Sequence, residues 1–467
     1  MKTDLKNRKN REIRGPLKRH PTNPRYFSDD GKRVVYLTGS HTWANFQDIL
    51  LTGLREEILD YDSYLDVLES YNHNFFRLWM FENSAWAAWT MDKITFSPLP
   101  FARTGPGTAL DGLPKFNLDQ WNEDYFIQLR ERVIKAGKKG MYIAVMLFQG
   151  WSVNKPVITK GGKPWEGHPF NKSNNINGVD GEIVNSDGLD AYSLNIPSVS
   201  SYQEAYVRKV IDSVNDLDNV LYEIVNEIDS TEAACKWQYQ MINCIKEYET
   251  TLPKQHPVGM TIPWDGINSQ NNNELYNSPA DWISPCVSEN EDYKDNPPAG
   301  DGRKVIITDT DHLWGHGGNI GWVWKSFLRG LSPIFMDPLL SIPGRLVNGD
   351  YAASDLNRRD YPEWEPIRIN MGYTLKYAER INLSKMCPSM ELASSGYCLA
   401  NPGHEYLVYL PECNEVEINL GNTEHTYHLE WFEPGSGAIK DGGMICTAGK
   451  NKFVSPYKSD SVLYVFR

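Results

Sequence analysis

Eight short apolar segments recur between residues 33 and 335, each followed by a helical pattern or a long loop, and this alternation limits the possible folds more than any other feature. The segments cover residues 33–37, 74–80, 141–148, 220–226, 256–263, 280–287, 304–308 and 332–335. Helical spacing of apolar residues appears at 61–71, 123–138, 201–217, 233–248 and 320–329. Because strands that alternate with helices form parallel sheets, and eight such units close into a barrel, the sequence predicts a (β/α)8 TIM barrel over about residues 20–385.

The pattern changes after about residue 390. Short alternating segments at 406–410, 416–420, 427–432 and 462–466 are typical of antiparallel strands, and turn residues separate them at 401–403, 433–435 and 441–443. We therefore expect a small antiparallel β-sandwich over residues 390–467. A helical segment at 361–382 is expected to close the barrel and to pack toward this second domain.

Charge and composition restrict the classes of partner. The 467 residues carry a formal net charge of -13, which argues against nucleic acid or an anionic membrane as the main partner. No apolar run is long enough to predict a transmembrane helix, and residues 1–18 lack the apolar stretch of a secretory signal. We expect a soluble protein that stays inside the cell or whose leader is missing from this chain. The seven scattered cysteines predict free thiols, and nothing indicates the oligomeric state.

Carboxylates follow two of the predicted strands. Asn226 and Glu227 end the fourth strand, and Asp309 and Asp311 follow the seventh. In a barrel the carboxyl ends of all strands share one rim, where active sites of this fold lie. The fourth and seventh strands lie nearly across the barrel from each other, so their ends can supply the two carboxyl groups that glycoside hydrolysis needs.

Other polar and aromatic residues fall at or near the same predicted rim. Arg77 is either an ion-pair partner in the barrel core or a group that keeps a catalytic carboxylate ionised, and Glu223 is expected to be a buried structural partner. Some of the tryptophans are expected to form sugar platforms and others to be core, while the histidines are ligand contacts or structural groups. The candidate substrate-binding residues are His41, Trp43, Arg77, Trp79, Trp151, Asn226, Trp264, His312 and Trp314. Trp86, Trp89 and a long loop at 171–195 are expected to shape specificity.

Three longer motifs carry a resemblance to a known family. They are His-Pro-Thr-Asn-Pro-Arg-Tyr-Phe at 20–27, Thr-Gly-Ser-His-Thr-Trp at 38–43 and Asp-Thr-Asp-His-Leu-Trp-Gly at 309–315. Together with Asn-Glu after the fourth strand, an acid after the seventh and an arginine in the second, they resemble clan-A (β/α)8 glycoside hydrolases, and more narrowly the apiosidase-like, cellulase-related barrels. Such barrels often carry a C-terminal sandwich with a collagen-binding label.

The resemblance implies a glycosidase that cleaves O-glycosidic bonds in a polysaccharide or oligosaccharide and uses no cofactor. Glu227 would be the acid/base, and Asn226 would bond a sugar hydroxyl. The sequence departs from the clan pattern in having aspartate rather than glutamate after the seventh strand. We favour Asp311 over Asp309 as the second carboxylate, acting as nucleophile or base. Because aspartate is shorter by one methylene, the distance between the two carboxyl groups could be wide enough to admit a water. The sequence therefore leaves the choice between retention and inversion open.

Two other functions remain open on sequence alone. A metal-dependent hydrolase would use Asp309, Asp311, His312 and His316, although no His-x-His pair accompanies the first strand. A non-catalytic carbohydrate-binding barrel would keep the cleft without turnover. Activity that survives EDTA argues against the first, and product release argues against the second.

Overall fold

The computed structural model confirms a parallel eight-stranded barrel followed by an antiparallel sheet domain. It describes residues 11–43, 45–51, 60–86, 93–150, 153, 162–184, 187–263, 272–315, 317–337 and 364–467. The barrel strands are β1 (Gly39–His41), β2 (Phe75–Leu78), β3 (Tyr142–Gln149), β4 (Val220–Asn226), β5 (Val258–Thr261), β6 (Trp282–Ser284), β7 (Val305–Asp309) and β8 (Ser332–Met336). Each pairs in parallel with the next from β2 to β8, and β8 pairs with β1.

The barrel closes between β1 and β2. The backbone N–H of Asn74 donates to the carbonyl of Thr38 at 3.1 Å, and the Asn74 side chain accepts from the Thr38 N–H at 2.9 Å. Gly39 allows the close approach, since a Cβ there would lie 2.3 Å from the Phe75 carbonyl oxygen. The prediction of the first strand at 33–37 was wrong by several residues, because Val35 instead forms an antiparallel bridge with Phe27.

Seven α-helices are present in the described residues. They are α1 (Tyr61–Ser70), α2 (Glu123–Lys138), α3 (Pro197–Val214), α4 (Glu232–Glu249), α5 (Asn273–Asn277), α6 (Ile320–Leu328) and α7 (Glu365–Arg380). Helix α2 shows why such segments are helical: its buried apolar residues repeat at helical spacing, acids occupy its first turn and lysines its last. None of the helices in the described part of the chain is both long and apolar enough to cross a membrane.

The region after β2, which reads as a long loop in the sequence, contains three strands: one pairs with a strand between β1 and β2, and the other two form a hairpin. Asp48–Leu51 pairs with Ile94–Ser97, and Phe101–Thr108 pairs with Pro114–Trp121. The glycines and prolines at 105–107, which read as loop residues, lie inside a strand whose pairing is irregular. The predicted loop at 171–195 contains the short 3-10 turn Leu189–Tyr192 and no other helix or strand in its described residues.

The C-terminal domain consists of a six-stranded antiparallel sheet and a two-stranded sheet. Its strands are β9 (Cys387–Pro388), β10 (Cys398–Asn401), β11 (Glu405–Leu410), β12 (Glu415–Asn419), β13 (His425–Glu433), β14 (Ala438–Thr447), β15 (Lys450–Val454) and β16 (Ser461–Phe466). The large sheet has the order β9-β10-β11-β16-β13-β14, and β12 pairs with β15. The expected turn at 441–443 is wrong: these residues lie within β14, where Gly442 is the extra residue of a bulge opposite Leu429 and Glu430.

The two domains share a hydrophobic core. Trp324 of α6 and Tyr377 of α7 lie 5.5 Å, between ring centroids, from Phe432 of β13. All three side chains are at most 5% exposed. Helices α6 and α7 thus pack against the barrel on one side and against the sheet domain on the other.

Candidate active site

Glu227 follows the last residue of β4 and turns the chain sharply. All seven residues of β4 are buried, which holds the strand end in place. Glu227 has a φ of 45°, in the left-handed region that a residue with a side chain adopts at a cost of about 1–3 kcal/mol. Its side chain is 7% exposed. The glutamate is therefore held in an unfavourable backbone conformation at the rim of the barrel.

Asp309 ends β7 and organises the turn that follows. Its Oδ1 accepts a hydrogen bond of 2.9 Å from the Asp311 N–H, which starts the 3-10 turn Thr310–His312. The Asp309 carboxylate also accepts from His41 Nε2 at 3.0 Å and from Arg77 at 2.9 Å. Burial opposes its ionisation, but His41 and Arg77 hold the pKa of Asp309 below its ordinary value. Asp309 is fully buried and committed to these partners.

Arg77 connects three strands at the centre of the site. Its guanidinium pairs bidentately with Glu223, donating to one carboxylate oxygen at 2.9 Å from Nε. It also donates to Asn226 Oδ1 at 2.6 Å, to Asp309 at 2.9 Å and to Asp311 Oδ2 at 3.0 Å. The sequence left two roles open for Arg77. In the structure the same guanidinium is a buried ion-pair partner of Glu223 and a positive charge beside Asp311, so its position is compatible with both roles.

Asp311 faces Glu227. One carboxylate oxygen of each lies, together with a ring nitrogen of His312, in a group whose atoms are all within 4.8 Å of one another. The Asp311 side chain is 8% exposed, whereas that of Asp309 is 0% exposed. Burial raises the pKa of Asp311 to about 6 against the opposing charge of Arg77, and the Asp309 carboxylate adds to the rise. The carboxyl pair at the rim is thus Glu227 and Asp311.

His312 presents an unpartnered nitrogen to this pair. Its Nδ1 lies 2.8 Å from the hydroxyl of Ser284, at the end of β6. Its Nε2 has no hydrogen-bond partner in the described residues and lies 3.8 Å from Asp311 Oδ2. Burial, and next to it the charge of Arg77, lowers the pKa of His312 to about 3. The ring is therefore neutral near pH 7, with Nε2 available to a ligand.

The remaining candidate substrate-binding residues differ in how deeply they are buried. His41 and Trp79 are buried, and the Trp79 Nε1–H donates to His41 Nδ1 at 2.8 Å, which leaves the His41 Nε2–H to donate to Asp309. Trp43 and Trp314 are half-buried. Asn226 is buried, with its Oδ1 bonded to Arg77. Trp89, Trp151, Trp264 and His316 lie outside the described residues.

Sequence reasoning missed two groups at the rim. Ser284, which orients His312, is one. Glu82 is the other: its carboxylate accepts from the Gln149 N–H at 2.9 Å and from the Tyr192 hydroxyl at 2.7 Å, and lies 3.3 Å from His168 Nε2. The signal available for both was a polar residue at or just after an apolar strand. Glu82 fixes the loop that contains His168 and Tyr192 to the barrel.

Two family models match parts of the chain. A family described as "Domain of unknown function (DUF6298)" matches residues 82–270, which include Glu82 and Glu227. A family described as "Putative collagen-binding domain of a collagenase" matches residues 389–465, the sheet domain. No curated protein matches the chain in sequence.

Solved structures resemble the whole chain. A glycoside hydrolase family 5 protein from Bacteroides vulgatus is 13% identical, with a TM-score of 0.64 over 99% of this chain and 95% of its own. Another protein described as a glycoside hydrolase is 13% identical, with a TM-score of 0.56 over 97% of both chains. At this identity the likeness shows the fold: a TIM barrel joined to a C-terminal sheet domain, as in glycoside hydrolases. The narrower apiosidase-like grouping stays a prediction.

Proposed function

We propose that the protein is a glycoside hydrolase that cleaves O-glycosidic bonds in a polysaccharide or oligosaccharide with Glu227 and Asp311. The observation that carries the proposal is the approach of these two carboxylates, from β4 and from the turn after β7, to within 4.8 Å between oxygens. The likeness of the fold to glycoside hydrolases supports it. A pair of carboxyl groups facing each other across a rim is the arrangement that glycoside hydrolysis requires.

The short distance favours a double displacement with retention of configuration. Retaining enzymes place their carboxyl groups about 5–5.5 Å apart, and inverting enzymes need about 6.5–9.5 Å to admit a water. In the proposed reaction Glu227 donates a proton to the leaving oxygen while an Asp311 oxygen attacks the anomeric carbon and forms a glycosyl ester. Glu227 then takes a proton from water, which attacks the same carbon and releases Asp311.

Asp311 suits the role of nucleophile better than Asp309. Asp309 is fully buried and bonded to both His41 and Arg77, so its oxygens are occupied. The Asp311 carboxylate accepts a 3.0 Å hydrogen bond from Arg77 and faces Glu227. We assign Asp309 to positioning: it orients Arg77 and the turn that carries Asp311.

Substrate contacts are assigned to groups with spare hydrogen-bonding capacity or exposed ring surface. Within the described residues, Nδ2 of Asn226 donates no hydrogen bond while its Oδ1 is held by Arg77, so Nδ2 can donate to a sugar hydroxyl. His312 Nε2 can accept from one. Half-buried Trp43 and Trp314 are proposed as sugar platforms. His41 and Trp79 act indirectly, through Asp309 and Arg77.

A glycan screen tests the function. Wild type is compared with Glu227→Gln and Asp311→Asn, and with Asp441→Asn as a matched control at an exposed aspartate of β14. We expect both site variants to fold and to lose at least about a hundredfold in kcat on the substrate that wild type cleaves, as acid–base catalysis alone contributes about 10²–10⁴-fold. Near wild-type rates in both variants would refute the assignment. The anomer of the first product, followed by NMR, distinguishes retention from inversion.

A further inference from the structure

Three donor groups meet at the rim. The carboxylates of Glu227 and Asp311 and the imidazole of His312 each offer an atom within 4.8 Å of the other two. Glu227 comes from the end of β4, and the other two come from the turn after β7, so the groups approach from two sides of the barrel. Carboxylates often gather without binding anything, and the third group decides whether this set is a ligand site.

The unpartnered nitrogen of His312 is an independent indication of a ligand. The His312 side chain is fully buried, and Nε2 lacks a hydrogen-bond partner within the described residues. A buried polar atom left in this state destabilises the fold unless a ligand satisfies it. The Ser284 hydroxyl, 2.8 Å from Nδ1, can accept a hydrogen bond from Nδ1–H, and in that tautomer the lone pair of Nε2 points toward the two carboxylates. Imidazole ligands of metals are held by such a second hydrogen bond.

The charges around the group favour a cation. The Arg77 guanidinium contacts Glu223, Asp309 and Asp311, and Glu227 adds a fourth carboxylate to the same rim. Within this set of described residues, one positive charge faces four acidic groups. A divalent cation would reduce this excess while it fills the space between the carboxylates.

We propose that Glu227, Asp311 and His312 bind a divalent transition-metal cation, with Zn²⁺ the best chemical match, and that this cation excludes the sugar and inhibits hydrolysis. One imidazole nitrogen and two carboxylate oxygens suit Zn²⁺, whereas Mg²⁺ and Ca²⁺ prefer oxygen ligands alone. Three protein ligands also leave the fourth zinc position to water. Ligands about 2.0–2.2 Å from zinc lie at most about 4.4 Å apart, close to the 4.8 Å within which the three ligand atoms already lie. The inhibition rests on the proposed function, and the binding does not.

Calorimetric titration of the full chain with ZnCl₂ tests the binding. We expect one equivalent to bind, no binding in Asp311→Asn, and affinity about 10–100-fold weaker in Ser284→Ala, because Ser284 orients the ligating ring. Asp441→Asn should bind like wild type. The exposed cysteines Cys387, Cys413 and Cys446 are changed together to serine, and this variant should also bind one equivalent. Zinc binding that persists in Asp311→Asn, or that disappears with the cysteines, overturns the proposal.

Kinetics on the substrate found by the glycan screen test the inhibition. We expect Zn²⁺ to raise the apparent KM without changing kcat, EDTA to restore the original KM, and Mg²⁺ to have no effect at the same concentration. Hydrolysis that needs Zn²⁺ and stops in EDTA overturns the inhibitory role. If wild type cleaves no glycan, the proposed function fails while the titration still decides the binding. If it cleaves one and zinc does not bind, this proposal alone fails.

Discussion

At the scale of single residues, two aspartates that lie two positions apart, Asp309 at the end of β7 and Asp311 in the turn after it, have opposite surroundings. Asp309 is bonded to His41 and Arg77, which hold its pKa below the ordinary value despite burial. Burial raises the pKa of Asp311 to about 6. Such a divergence between neighbouring titratable groups is how a site separates a fixed charge from a reactive one.

The pKa of Asp311 predicts the acid limb of the activity profile. As a nucleophile Asp311 must be ionised, so kcat/KM should rise with pH and level off above an apparent pKa near 6, measured in EDTA to exclude metal. Asp309→Asn removes the negative charge that raises the pKa of Asp311, while Arg77 still lowers it. The acid limb of the profile should therefore move to lower pH, with activity retained. An acid limb that stays in place or moves to higher pH in Asp309→Asn would contradict this coupling between the two aspartates.

The backbone at Glu227 predicts a difference between two truncations. Both Glu227→Gly and Glu227→Ala remove the carboxylate and should be inactive. Because φ is 45°, alanine keeps the backbone strain and glycine does not, so the glycine variant should be more stable by about 1 kcal/mol. Urea unfolding of both variants measures this difference. An alanine variant equal to or more stable than glycine would show that the position is unstrained.

The sequence could predict that His312 and Asp311 lie at the active-site rim, but it could not predict which side chains surround them. Residue type and strand order indicated which rim they share. The hydrogen bond between Ser284 and His312 and the contacts of Glu82 depend on how loops that follow different strands pack together. No local sequence pattern predicts that packing. The choice between Asp309 and Asp311 likewise depends on side-chain direction after β7.

At the scale of elements, the sequence predicted long amphipathic segments well and irregular ones poorly. Helix α2 was predicted at 123–138 and is Glu123–Lys138 in the structure. Its apolar spacing, acidic first turn and basic last turn all agree. Strand β1 was misplaced because residues 33–37 are apolar for another reason: Tyr36 packs in the core shared with the sheet domain, and Val35 packs in a separate core with Phe27. The hairpin after β2 was missed because glycine and proline interrupt the alternation of its first strand, Phe101–Thr108.

The seam between β1 and β2 predicts a sensitive glycine. In Gly39→Ala the new Cβ would meet the Phe75 carbonyl at 2.3 Å, so the strands must separate or shift. We expect a loss of at least about 2 kcal/mol of unfolding free energy, in the range of core overpacking. Gly435→Ala is the matched control, since a Cβ there has no atom within 4 Å in the described residues. Thermal unfolding of both variants is the measurement, and equal midpoints would contradict a tight seam.

At the scale of the whole molecule, the sheet domain is part of the barrel's packing. Helices α6 and α7 place aromatic side chains against β11, β13 and β16, in a core that neither domain completes alone. We attribute to the sheet domain a supporting role rather than collagen binding, because the family description names no site on this chain. The predicted boundaries at 385 and 390 remain predictions.

The shared core predicts a single unfolding transition. Phe432→Ala removes a ring that contacts Trp324, Tyr373 and Tyr377, and should lower the unfolding free energy by about 3–5 kcal/mol. Calorimetry should show barrel and sheet domain unfolding together at a lower temperature. Met444→Ala, at a side chain that is 64% exposed, is the control and should leave the midpoint unchanged. Two separate transitions in wild type would contradict the shared core.

The Arg77 network also has a consequence for how the protein acquires activity. Its guanidinium joins β2 to Glu223, 146 residues away along the chain, and to Asp309, 232 residues away. Contacts this distant in sequence form slowly, since long loops must close before the contacts are gained. A chain that has formed only the first four units of the barrel has Glu227 but not Asp311. In a refolding experiment, enzymatic activity should therefore return later than the circular-dichroism signal of the helices. The return of activity would report the closure of the barrel.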